Sequence, residues 1–255
     1  MIEDFSFKGK SAKSMGVIMS DPFLFAGPSW NYEEISIEGR DGSLFVPLNI
    51  KDTTRDINCT LAKNADKDKI LAWLTGVGEF VVKERKTTAR IFDQIDFNRL
   101  GWDKESFTIP IIISPLWFPA DENWVEVTST RIYNNGNYKS KPIIKITFTG
   151  GAYDNRLSFD LYTGNGSQSE SNYYRVTNDY DTLGFKASVL TIDTSNGDVT
   201  FNASNQSKNK YAMILDMPAE TFSVNPGSYL QVLNKYKTGS DSYKIEVLHK
   251  DTYLG

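Results

Sequence analysis

The sequence predicts a mainly β protein in two parts. Short segments with apolar residues at every second position recur along most of its 255 residues. Only one stretch has the periodicity of a helix, and near the middle the alternation gives way to prolines and aromatic rings. A chain of this length suits two domains of ordinary size.

The middle stretch, Ile109 to Trp124, closes one half and opens the other. Phe107, Ile109, Ile111 and Ile113 alternate as a half-buried strand does, while Pro110 points to an edge strand or a break in pairing. Pro115 and Pro119 fix φ and remove backbone donors, so pairing cannot run on. Trp117, Phe118 and Trp124 supply enough apolar surface to anchor a linker, and they are the candidate inter-domain anchor. The boundary is placed accordingly, with residues 1–131 as one domain and 132–255 as the next.

In the first half, Phe5 to Gly16 reads as a short strand, a glycine turn and the entry to another extended segment at Met15–Met19. Trp30 to Ile37 alternates imperfectly and leads into Glu38-Gly39-Arg40-Asp41-Gly42-Ser43-Leu44, where Asp-Gly marks a tight turn between strands. A phosphate-cradling loop needs a following lysine-serine or lysine-threonine and a helix start, and both are missing, so a turn or an inter-subunit contact is the reading. Ile57, Cys59 and Leu61 face inward from a strand over Arg55–Leu61. Asn64 to Thr75 is the helix, with Asn64 or Asp66 as its cap, Ile70, Leu71 and Leu74 as its apolar stripe, Trp73 beside them, and Gly76 as its stop. Phe80–Lys83 and Thr88–Ile95 are expected as further strands.

In the second half Asn134 to Asn137 has turn chemistry, and Ile144, Ile146 and Phe148 share one face of a strand. Short strands follow at Leu157–Tyr162, Tyr173–Val176, Val189–Asp193, Val199–Asn202, Tyr211–Leu215, Phe222–Val224, Tyr229–Leu233 and Tyr243–Leu248. Asn196-Gly197-Asp198 is the strongest hairpin signal among the turns that separate them. This rhythm is that of a sandwich or jelly roll. Thr163 to Asn172 lacks apolar residues and is expected to be an exposed, mobile loop.

Composition narrows the chemistry. A formal charge of −4 offers no general field for a phosphate backbone, so nucleic-acid binding is not expected. No apolar run reaches a bilayer span, and Glu3 and Asp4 stand where a secretory leader carries positive charge, so the expectation is a soluble chain made in a cytoplasm, without membrane insertion. The single cysteine, Cys59, rules out an intrachain disulfide, and its position among inward-facing residues makes it a small buried side chain. The single histidine, His249, would have to serve any imidazole catalysis alone. Carboxylate pairs exist at Asp93 with Asp96, Asp121 with Glu122 and Asp179 with Asp181, but neighbouring positions do not establish the facing geometry that hydrolysis needs. No Asp-x-Asp-x-Asp-Gly loop is present for calcium. Tyr153, Tyr162, Tyr173, Tyr174 and Tyr180 could stack on sugars, fill a core, or lie at subunit contacts. No catalytic residue, cofactor or metal is expected; the competing reading is a carbohydrate-binding or glycoside-cleaving β-sandwich protein.

Several motifs, taken in order, resemble one family. Phe5-Ser-Phe-Lys-Gly-Lys-Ser with Met15-Gly16-Val17, Gly39-Arg40-Asp41-Gly42-Ser43-Leu44, Ser114-Pro115-Leu116-Trp117-Phe118, and Asn135-Gly136-Asn137 followed by Ser140-Lys141-Pro142-Ile143 are similar to the distal tail (Dit) proteins of siphophages and prophages of Gram-positive bacteria. The similarity covers about residues 5 to 150; beyond them only length and strand rhythm agree. The resemblance implies an N-terminal β-sandwich with one α-helix and a projecting β-hairpin, and a C-terminal galectin-like jelly-roll β-sandwich. It also implies a structural, non-enzymatic baseplate hub at the virion tail tip: a homohexameric ring that continues the tail tube protein and meets the tail-tip or tail-associated lysin protein, with a receptor-binding protein as a further partner. Gly39, Arg40, Asp41 and Gly42 are the candidate inter-subunit loop. The length leaves no room for carbohydrate-binding insertions, and the second domain has no motif that maps onto a ligand site.

Overall fold

The computed structural model describes residues 3–100, 104–127, 131–149, 156–164, 172–179, 189–203, 206–209, 222–238 and 242–254. The chain forms two compact units, Met1–Ala120 with Tyr253–Gly255, and Asp121–Thr252. The division lies before the expected residue 131 because Trp124–Glu126 is already a strand of the second unit, paired with Glu246–Leu248.

The first unit contains β1 (Phe5–Phe7), β2 (Lys10–Ser11), β3 (Val17–Met19), β4 (Trp30–Ser36), β5 (Ser43–Ile50), β6 (Thr53–Leu61), α1 (Lys67–Trp73), β7 (Gly76–Val82), β8 (Arg85–Ile91), β9 (Asn98–Leu100), β10 (Lys104–Ile113) and β11 (Leu116–Pro119). All strands but β4 and β5 join one antiparallel sheet in the order β2-β1-β7-β8-β10-β6-β3, with β9 added to β10 and β11 to β8. The sheet encloses a core of Phe5, Phe7, Ile57, Cys59, Phe80, Ile91 and the alternating residues of β10. Ile109 lies opposite Ile57 and Phe107 opposite Cys59, so both periodicities put their apolar sides on the same face. Pro110 is opposite Asp56, while β8 reaches β10 only at Ile112 and Ile113; one side of the strand is open at the proline, where a missing donor is tolerated.

Helix α1 packs Ile70, Trp73 and Leu74 into this core. Asp66 caps it, its Oδ1 accepting from the Lys69 backbone N–H at 3.2 Å. Asn64 instead holds a left-handed turn at φ 67°, which is why the helix starts later than its periodicity suggested. The C-terminal Tyr253–Leu254 returns to pair with Leu116 and Trp117 of β11.

The second unit contains β12 (Trp124–Glu126), β13 (Ile132–Tyr133), β14 (Ile143–Thr149), β15 (Arg156–Gly164), β16 (Asn172–Asp179), β17 (Val189–Asp193), β18 (Asp198–Ala203), β19 (Gln206–Asn209), β20 (Tyr229–Thr238) and β21 (Ser242–Leu248). They form two antiparallel sheets, β12-β21-β14-β17-β18-β19 and β13-β20-β15-β16. Ile144, Ile146, Leu190, Ile192 and Val247 from the first sheet meet Leu161, Leu230 and Val232 from the second in one core, the arrangement of a β-sandwich. The β17–β18 hairpin turns through Gly197 at φ 81°, as Asn-Gly-Asp predicts. Phe222–Val224, expected as a strand, contributes a single bridge between Val224 and Ser140. Tyr153, Tyr180, Asp181, residues 165–171 of the expected mobile loop and the expected strand Tyr211–Leu215 lie outside the described residues.

Candidate assembly surface

Strands β4 and β5 form a two-stranded sheet of their own. A hairpin of this kind is marginal in water unless something covers a face of it. Here the register places Tyr32 opposite Pro47, Glu34 opposite Phe45 and Ser36 opposite Ser43, which puts these six on one face. A bulge between Asn31 and Tyr32 shifts the pairing at the root, so Trp30 lies opposite Ile50 and Asn31 opposite Asn49. The Asn31 Nδ2 donates to Asn49 Oδ1 at 2.9 Å across that pair. The other face carries Glu33 with Val46 and Ile35 with Leu44.

Both faces are open. Tyr32 is 59 % exposed, Phe45 57 % and Trp30 41 %, and Ile35, Leu44 and Leu48 are exposed as well. The rings of Tyr32 and Phe45 meet edge-on with centroids 5.4 Å apart, which orders the surface without burying it. A contiguous apolar patch left open to solvent marks a contact site.

The predicted loop is the tip of this hairpin. Gly39 and Gly42 both adopt φ 81°, and the Arg40 N–H donates to the Ile37 carbonyl at 3.1 Å to close the turn. Gly39, Arg40, Asp41 and Gly42 are all exposed. At the root, the Lys51 N–H donates to the Ser29 carbonyl at 2.7 Å, and Asp52 pairs with Arg90 of β8.

The predicted anchor rings separate. Trp117 is buried in the first unit, edge-on to Phe25 at 4.9 Å and to Phe23 at 5.8 Å. Phe118 is half-buried in β11, opposite Lys86. Trp124 is 41 % exposed on the edge strand β12 of the second unit, with the Lys145 ammonium 5.3 Å from its ring centroid. The segment Phe23–Phe25, whose rings pack on Trp117 just ahead of the hairpin, carries no periodicity that would have singled it out.

His249 has companions that superficially suit nucleophilic catalysis. Its Nδ1 is 3.4 Å from Ser140 Oγ and its Nε2 is 3.5 Å from Asp251 Oδ1. Ser140 is fully buried, however, and its hydroxyl donates to the Lys250 carbonyl at 2.7 Å, while Asp251 Oδ1 accepts from the Asn135 N–H at 2.8 Å. A hydroxyl committed to a backbone carbonyl and closed off from substrate is a structural tie, not a nucleophile. Burial lowers the His249 pKa, outweighing the pull of Asp251, and among the described residues its Nε2 has no aligned hydrogen-bond partner. Burial likewise pushes the Cys59 thiol up to about 12, which leaves it unreactive. Of the carboxylate pairs, Asp93 and Asp96 are exposed in one loop, Asp96 accepting from Gln94, and Glu122 is paired with Lys250. Among the described residues no group of three or more His, Cys, Asp or Glu could hold a metal ion, and no helix is long and apolar enough to cross a membrane.

No family profile and no curated protein sequence matches the chain. Among solved structures, the SPP1 Dit (gp 19.1) protein, described as a paradigm of the hub adsorption apparatus in phages infecting Gram-positive bacteria, superposes with a TM-score of 0.68 at 12 % identity, covering 100 % of both chains. The fold is Dit-like. A chain of the phage P2 baseplate in its activated conformation with Ca gives a TM-score of 0.50 at 8 % identity, covering 100 % of this chain and 99 % of that one. The Dit-like fold thus extends over the whole sequence, including the second half, where no motif resembled the family.

Proposed function

We propose that this chain is a distal tail protein, a structural baseplate hub that joins a phage tail tube to the tail-tip apparatus. The observation that carries the reading is the hairpin β4–β5, which exposes Trp30, Tyr32, Phe45, Ile35 and Leu44 within a Dit-like fold that spans the full chain. A ring of identical subunits needs two different surfaces on each copy, and a protruding apolar hairpin is suited to be one of them. The proposed state is a homohexamer, with Gly39 to Gly42 at or near the subunit contact. Trp117 and Phe118 hold the end of the first unit and Trp124 the beginning of the second, so the intervening residues act as a short strap. The ring stacks on the tail tube protein, carries the tail-tip protein and a receptor-binding protein, and resides at the virion tail tip after synthesis in the host cytoplasm. It acts by assembly, without catalysis or cofactor.

Negative-stain imaging and sedimentation velocity of the purified full chain test this reading. A ring of uniform size is expected. A strict monomer at tens of micromolar, with or without the tube protein, sinks it.

A further inference from the structure

Resting on that ring reading, we infer that Glu34 on the hairpin of one copy pairs with Arg55 of a second copy, so that a cavity in the first unit receives the aromatic face of the neighbour's hairpin. A carboxylate that is covered together with neighbouring rings needs a cationic or hydrogen-bonding partner. Glu34 lies opposite Phe45, with Tyr32 and Pro47 on one side of it and Ser36 and Ser43 on the other, and among the described residues it makes no ion pair. Covering these rings therefore requires such a partner on the receiving surface.

The first unit offers one suited to it. Arg55 in β6 is half-buried and lines a cavity of about 140 Å³ together with Met19, Phe23, Leu24 and Asn58. The other half-buried cations among the described residues of this unit are engaged: Lys86 with Glu79, Arg90 with Asp52, and Arg85 against Phe25 and Tyr253. The Arg55 side chain has no ion pair or hydrogen bond among the described residues, although Asp21 and Asp56 also line the cavity; Asp21 is held by the Asn58 Nδ2 at 3.0 Å. Beside it Leu24 is 71 % exposed, an apolar surface for the rings that flank Glu34.

The hairpin is acidic: between Trp30 and Ile50 it carries Glu33, Glu34, Glu38 and Asp41 against the single cation Arg40, so in a cavity that also holds Asp21 and Asp56 the group it can meet favourably is Arg55. Within one chain Glu34 and Arg55 do not pair, so the contact joins two copies and uses a different surface of each, as a closed ring demands. Arg suits a partly buried site because its planar fork binds a carboxylate through two parallel hydrogen bonds.

Sedimentation velocity of the full chain, with Glu34→Arg, Arg55→Glu and their equimolar mixture beside wild type, tests the pairing. Each single variant is expected to associate roughly thirtyfold or more weakly than wild type. The mixture is expected to recover rings, because alternating subunits then meet through an unaltered pair and a charge-swapped pair, and this recovery also shows that both variants fold. Glu34→Gln and Arg55→Gln weaken association in the same direction. Single variants that assemble like wild type, or a mixture that stays dissociated, overturn the pairing while leaving the ring in place. A wild-type monomer overturns the ring reading and the pairing with it.

Discussion

Tyr32 and Phe45 touch edge-on across the β4–β5 hairpin with ring centroids 5.4 Å apart, yet each leaves more than half of its surface in solvent. In the isolated subunit this pair contributes little to stability, because little of it is buried; in an assembly it becomes the anchor of a contact. Tyr32→Ser with Phe45→Ser is therefore expected to dissociate the ring while shifting folding stability by no more than about 0.5 kcal/mol per site. Sedimentation velocity and thermal melting of the same samples separate the two effects. A melting temperature that collapses together with assembly would mean the hairpin belongs to the fold and not to the contact.

Trp73 supports the fold from inside. Its indole Nε1–H donates to the Phe7 carbonyl at 2.6 Å, and its ring stacks on Phe5 at 5.9 Å, so helix α1 is tied to the first strand by one polar and one apolar contact. Trp73→Phe keeps much of the packing and removes the donor, leaving a buried carbonyl without its partner. A loss of about 1–3 kcal/mol in urea unfolding is expected. An unchanged midpoint would show that the Phe7 carbonyl finds another donor.

The strands legible in the sequence are those whose turns use standard chemistry. Val189–Asp193 is legible because Asn196-Gly197-Asp198 marks the hairpin that follows. The β7–β8 hairpin turns instead at Lys83 and Glu84, both left-handed at φ 49° and 62°, residue types that announce no turn, so the sequence points to Thr88–Ile95 where the strand is Arg85–Ile91. The hairpin tip at Gly39–Gly42 was legible for the opposite reason, since its two glycines take the positive φ that the turn requires. The open aromatic face was not, because imperfect alternation over Trp30–Ile37 reads as a weak strand; only the three-dimensional register shows that both faces are uncovered. Arg55 was equally silent, as nothing in its neighbours' identities reveals a cation without a partner.

Gly136 and Gly39 separate crowding from backbone strain. A Cβ on Gly136 would stand 2.1 Å from the Thr252 carbonyl oxygen, a backbone atom that cannot swing aside. A Cβ on Gly39 meets nothing within 4 Å, and only its φ of +81° opposes a side chain. Gly136→Ala is expected to cost about 1–3 kcal/mol through forced backbone movement. Gly39→Ala is expected to cost about 1–2 kcal/mol if the turn keeps its conformation. Chemical denaturation gives both values, and amide exchange near Asn134 and Thr252 should accelerate only in Gly136→Ala. Exchange unchanged there would remove Thr252 as the obstruction.

His249 sets a pH dependence whose sign follows from its burial. Desolvation lowers its pKa below the ordinary 6.5, so the folded protein holds it neutral where the unfolded chain has begun to take up a proton. Asp251 pulls the other way, but as the smaller effect. The unfolded state then binds more protons, and stability rises with pH across this window. Acidification from 6.5 toward the depressed folded value is therefore expected to destabilise the protein, before ordinary carboxylates titrate. Protonation would also place a charge beside Ser140, whose hydroxyl donates to the Lys250 carbonyl and can still accept from Nδ1, so the cost is the desolvation of the cation and not a lost hydrogen bond. His249→Asn removes the titration. Urea midpoints at about pH 7.5, 6.5 and 5.5 should fall more steeply for wild type than for the variant. Parallel lines would show that His249 is solvated in the native state and that the tie between Ser140 and the C-terminal segment does not depend on a neutral imidazole.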